Sequence, residues 1–143
     1  MSLFTAFGPG AAPAAARAEG DQPAGSTSLV EVVEVSGLFD PILVDFVEER
    51  IAEANQRGLT ALVLRLNSPG AVVDDEQVVD LARQIAESPV PVAIWVGPSS
   101  AQARGGAAQL VAVARPGVIA SGASVGKAGE QILPRDEFGV LFG

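Results

Sequence analysis

Residues 90–110, VPVAIWVGPSSAQARGGAAQL, decide the reading of the fold. An apolar run enters a Gly-Pro-Ser-Ser loop, and a small-residue helix then begins at Gly105-Gly106. Parallel α/β folds use this layout to aim a helix N-terminus, with its free backbone N–H groups, at a ligand or a reacting oxygen. Outward from it, residues 60–66 (TALVLRL) and 91–96 (PVAIWV) are nearly continuous apolar runs, which predicts strands covered on both faces of a parallel sheet. Residues 29–35 (LVEVVEV) carry two glutamates and suit a strand near a sheet edge. Residues 118–120 supply a fourth strand.

The segments between these strands read as helices. Asp40 is a good N-cap, Pro41 a good first helical residue and Gly58 a C-terminal stop. Leu43, Phe46, Val47, Ile51 and Ala54 follow the three-four spacing of a core face, opposite Asp45, Glu48, Glu49, Glu53 and Gln56. Asp74 and Gln77 form a candidate capping pair for a second helix, with Val78, Leu81, Ala82 and Ile85 inward and Pro89 as its stop. The order β-α-β-α-β-α-β implies right-handed crossovers and an α/β fold.

Composition narrows the chemistry. The 143 residues are 48% hydrophobic, enough to bury a core. The chain has no cysteine and no histidine, which removes disulfides, thiolate nucleophiles, the commonest general base and the commonest metal ligand. Asp74, Asp75 and Glu76 read as charges complementing a helix dipole, so neither metal nor cofactor is expected. A net charge of −8, eight scattered arginines and the single Lys127 argue against nucleic acid and against a polybasic membrane patch. No run is long and apolar enough for direct membrane insertion by this chain.

Residues 1–28 form a separate unit, rich in Ala, Gly, Pro and Ser and without hydrophobic periodicity. They read as a disordered leader or a degenerate signal peptide. Ala16-Arg17-Ala18 resembles a cleavage site, although no basic residue precedes the short apolar region. Residues 29–143 are the folded domain, and its end, FGVLFG, reads as C-terminally incomplete. Ile132, Leu133, Phe138, Val140, Leu141 and Phe142 are then short of intrachain cover, and self-association is expected.

Residues 66–71 (LNSPGA) close the second strand, and Gly70-Ala71 have the composition either of a plain turn or of backbone N–H groups pointed into the crevice at the strand ends. Gly105-Gly106 costs roughly 2 kcal/mol against alanines in a helix, so close packing or approach to a ligand must favour glycine there. Ser99, Ser100 and Lys127 are the residues available for a Ser-Lys dyad, a known solution when histidine is absent. The same serines are also ordinary loop residues, and a lysine between Gly126 and Ala128 is ordinary solvated chain.

Taken as a set, VEVSGLFDPILVDFVEERIAEA, ALVLRLNSPGAVV, SPVPVAIWVGPSSAQARGGAAQL and GVIASGASVGKAG resemble the extracytoplasmic, membrane-associated ClpP-class domain of NfeD-type serine proteases, within the Clp-protease/crotonase superfamily. The resemblance spans about residues 30–129. It implies a ClpP/crotonase-like parallel sheet with β-α-β crossovers, a homo-oligomer, and a peptide or membrane-protein segment as partner. The family's nucleophilic serine falls at Gly105, its oxyanion-hole amides at Gly70 or Ala71 and at Gly106, and its lysine base beyond Lys127. Glycine has no hydroxyl, so the implied function is a peptidase homologue without its nucleophile, a peptide-binding or scaffolding module near the membrane. Two other readings compete: an active Ser-Lys endopeptidase, and a crotonase-like acyl-thioester binder, which the lack of a basic patch for phosphates disfavours.

Overall fold

The computed structural model describes residues 28–139. Most of the 1–28 leader lies outside the described residues, as do Val140, Leu141 and Phe142. The chain begins with β1 (Val30–Ser36), α1 (Pro41–Arg57), β2 (Ala61–Asn67), α2 (Asp75–Glu87) and β3 (Val92–Val96). It continues with β4 (Gln102–Arg104), α3 (Gly106–Val113), β5 (Gly117–Ile119), β6 (Ser124–Gly126) and the short α4 (Arg135–Phe138). Four strands form one parallel sheet in the order β1-β2-β3-β5, with β1 at an edge as its glutamates require. This is the expected α/β architecture. The sequence pattern missed β4 and β6, which make a second parallel pair; three-residue strands are too short to show a period.

Local chemistry sets the first helix. Asp40 Oδ1 accepts the Leu43 N–H at 2.8 Å, Pro41 opens the helix, and left-handed Gly58 closes it by donating its N–H to the carbonyls of Ala54 and Asn55. The buried stripe is Val44, Val47, Ile51 and Ala54. Phe46, expected in the core, is instead 38% exposed, with the Arg50 guanidinium 5.8 Å from its ring centroid. Val44 and Val47 already fill the inward positions, so Phe46 turns to the rim of the stripe. In α2, Val78, Leu81, Ala82 and Ile85 are buried as expected. Asp74, however, makes no side-chain cap bond; only its carbonyl is used, by the N–H groups of Gln77 and Val78.

Burial alternates along β2 and β3, so one sheet face is packed by helices and the other is not. Val35, Leu62, Leu64, Leu66, Val92, Ile94 and Val96 join the helical stripes in the core. The opposite face carries Val32, Val63 and Ala93 in one row and Glu34, Arg65, Trp95 and Val118 in the next. The cover on both faces that the apolar runs predict is therefore present on one face among the described residues. At the end of the domain the expected lack of cover is not found at three of the six apolar residues: Leu133 is 1% exposed and Ile132 and Phe138 pack against the core, because the segment after β6 folds back over α3. The Arg83 guanidinium then pairs with Glu137, tying α4 to α2.

Candidate functional site

The crevice at the carboxyl ends of the strands brings together Gly70, Ala71, Gly105 and Gly106. Ser68, fully buried, is the reason. Its hydroxyl donates to the Gly70 carbonyl at 2.9 Å and accepts the Gly70 N–H at 3.3 Å, locking the turn after β2. Its backbone bonds to the Gln102 carbonyl and the Arg104 N–H, joining that turn to β4. On the other side Phe39 donates to the Gly70 carbonyl and accepts from Val72. Ala71 is left between them with a backbone N–H that has no partner among the described residues.

Gly105 turns the chain from β4 into α3 with φ 57° and ψ −135°, a region that L-residues occupy only under strain. A sharp strand-to-helix turn of this kind is where hydrolases on α/β sheets expose a nucleophile. A Cβ placed on Gly105 would sit 3.7 Å from Gly70 Cα and 3.9 Å from the Ala71 nitrogen, ordinary contact distances that aim it at the free amide. Gly106 is glycine for a different reason. A Cβ there would lie 3.1 Å from Ala71 Cβ and 3.3 Å from Val78 Cγ2, tighter than ordinary contact, so a side chain at 106 would press these two neighbours outward. As the first residue of α3, Gly106 has an N–H without an intrahelical acceptor, and none is supplied by other described residues. Two backbone donors thus flank the empty side-chain position of Gly105.

The remaining candidates lie around this point. The Lys127 carbonyl accepts the Gly105 N–H at 3.0 Å, while its side chain is exposed. Ser99 and Ser100 are exposed on the loop after β3, where the Ser100 N–H donates to Gly122. No hydrogen bond joins either serine to Lys127 among the described residues. Beside Gly70 opens a groove of about 430 Å³ lined by Ser36, Gly37, Leu38, Asp40, Leu43 and the exposed Ile42 and Phe46. Leu38 and Val72, both about half-exposed or more, extend this apolar rim to the turn itself. Sequence reasoning missed this rim, although Ile42 on the outer side of an amphipathic helix is a signal for it. A larger groove of about 530 Å³ between α1 and α2 is lined by Glu48, Asp80, Arg83 and Gln84, already paired with one another or with Glu137, and lies at the other end of the strands, where Ser88 leads into β3. No cluster of acidic side chains able to hold a metal occurs among the described residues.

No protein-family model and no curated protein matches the chain. Solved structures do. A membrane-bound stomatin-specific protease from Pyrococcus horikoshii superimposes with TM-score 0.65 at 25% identity, over 71% of this chain and 50% of that one. Its lysine-to-alanine mutant, in complex with a substrate peptide, gives TM-score 0.66 at 24% identity, over 71% and 45% of the two chains. The catalytic domain of the ClpP protease from Plasmodium falciparum gives TM-score 0.59 at 8% identity, over 74% and 57%. The chain folds as a ClpP-class protease domain. The NfeD-type domain that the four motifs resemble is the fold observed. The chain spans about half the length of the stomatin-specific protease structures it matches. Among the described residues of this ClpP-class domain, no helix is long and apolar enough to cross a membrane.

Proposed function

We propose that this ClpP-class domain binds an extended peptide at the Gly105 turn and does not cleave it. The observation that carries the reading is that two amides without a partner among the described residues, Ala71 and Gly106, flank Gly105, the position where the resemblance sets the nucleophile. Backbone N–H groups need no particular side chain, so carbonyl recognition survives the loss of a nucleophile. In serine proteases, the oxyanion hole and substrate binding alone retain about 10³–10⁴-fold over water, far below a working enzyme. The apolar rim of Leu38, Ile42 and Val72 suits apolar peptide side chains. A substrate peptide bound to the stomatin-specific protease supports the same ligand class, and that protease's membrane attachment supports a place beside a membrane; the scaffolding role, the extracytoplasmic side and the homo-oligomer rest on the resemblance of the four motifs. On this reading residues 29–143 are the binding domain and residues 1–28 a leader.

The test is fluorescence anisotropy with the substrate peptide of the stomatin-specific protease, followed by mass spectrometry of the peptide. Saturable binding with the peptide intact is expected, and Gly106→Ala, which pushes Ala71 aside, should weaken it. Cleavage of the peptide refutes the reading. So does fluorophosphonate labelling of Ser99 or Ser100 that disappears in Lys127→Ala, because a Ser-Lys dyad then works after all.

A further inference from the structure

We infer that Gln109 is a positioning residue that holds residues 127–133 as the second wall of the Gly105 site, an inference that rests on the peptide-binding reading for its functional half. Gln109 is one helical turn after Gly105 on α3 and is fully buried. Its carboxamide uses its whole hydrogen-bonding capacity on one segment of backbone. Nε2 donates to the carbonyls of Ala128 at 3.2 Å and Glu130 at 2.7 Å, and Oε1 accepts the N–H groups of Ile132 at 2.8 Å and Leu133 at 3.2 Å. Two donors and two acceptors are matched, so no other residue type of this length replaces it.

The segment so held is the one that touches the site. It leaves β6 through Lys127, whose φ is 49° and whose carbonyl receives the Gly105 N–H, and it ends at Leu133 in the core. Gly105 therefore lies between two walls, the Gly70-Ala71 turn fixed by Ser68 and the 127–133 segment fixed by Gln109. A buried Gln facing only backbone is costly in a core that leucine would fill, and here it gives a stretch with little regular structure one fixed place. Without it, four backbone groups lose their partners together, and the segment moves away from α3.

Gln109→Met in the full chain keeps length and volume and removes the amide. Hydrogen exchange should then speed up about 10-fold or more at the amides of Ile132 and Leu133, while β1, β2 and β3 keep their protection relative to global unfolding. Peptide binding, read with the substrate peptide of the stomatin-specific protease, should weaken by about 10-fold or more. Gln109→Asn keeps the amide but ends one methylene short of its four partners; it should fall between wild type and Gln109→Met, and it serves if the Met variant does not fold. The control is Asn55→Leu, which breaks a comparable clamp on Ser88 and Val90 at the far end of the sheet. Unchanged exchange at 127–133 in the Gln109 variants, or loosening of the whole domain together, overturns the inference. Equal loss of peptide affinity in Asn55→Leu at equal loss of stability overturns it too. Absence of peptide binding by wild type overturns the proposed function instead, and the exchange result then decides alone whether Gln109 pins the segment.

Discussion

Gly105→Ser puts a hydroxyl back at the turn between β4 and α3 and tests whether that turn has the geometry of an attacking position. Space is not the obstacle, since the added Cβ meets its nearest neighbours at 3.7 and 3.9 Å. The backbone is. At φ 57° and ψ −135° an L-residue costs about 1–3 kcal/mol. Reduced freedom of the unfolded chain returns about 0.4–1 kcal/mol. The net expectation is a loss of about 1–2 kcal/mol, which for a domain of this size lowers Tm by about 5–10 °C. Gly105→Ala should cost the same, because the strain belongs to the backbone and not to the hydroxyl. Urea denaturation followed by Trp95, the single tryptophan, reads the change in midpoint. An unchanged or raised midpoint in both variants would mean that residue 105 is not held left-handed, and the comparison of this turn with a nucleophile turn would fall. On activity, Gly105→Ser should gain little covalent reactivity toward fluorophosphonates. Its neighbours are backbone amides, and among the described residues no base is hydrogen-bonded into the turn to take the proton.

Gly106→Ala should lose about 1 kcal/mol in the same assay despite the better helix propensity of alanine, because its Cβ presses on Ala71 and Val78. Asp40→Ala removes the acceptor of the Leu43 N–H and should cost about 1 kcal/mol, with helix content otherwise retained by circular dichroism. The Arg83 hydrogen bonds hold the Glu137 carboxyl below the ordinary glutamate range, so its contribution is complete at neutral pH and is lost as pH falls below that range through the lowered value. Protection from exchange at residues 135–138, relative to the intrinsic rate at each pH, should fall at acid pH in wild type and be low already at neutral pH in Arg83→Met; no difference between the two proteins at neutral pH would refute the tether.

How much was legible in the sequence follows from the range of the interactions involved. The first helix was readable almost to the residue, since Asp40, Pro41 and Gly58 act within one turn of themselves. So were the sheet strands, because unbroken apolar runs between capped helices leave few topologies open. The glycines of the site were visible, but not their separate causes. A glycine needed for positive φ and a glycine needed for close packing look alike until the neighbours arrive, and those neighbours, Gly70, Ala71 and Val78, are distant in sequence. Ser68 reads as one more turn residue beside Pro69, and Gln109 as one polar position in an alanine-rich helix.

By itself, then, the sequence determined the parallel α/β class, the edge position of β1, and a helix entered at Gly105-Gly106 after a loop, with no nucleophilic side chain at its start. Each rests on local propensity or on the period of apolar residues, which are written along the chain. Tertiary structure decided that Phe46 lies at the rim while Leu133 is buried, and, among the described residues, that the helices cover one sheet face and that the amides of Ala71 and Gly106 have no partner beside Gly105. Those outcomes depend on which surfaces meet across 30 or more residues of chain, and on which backbone groups find partners when they do.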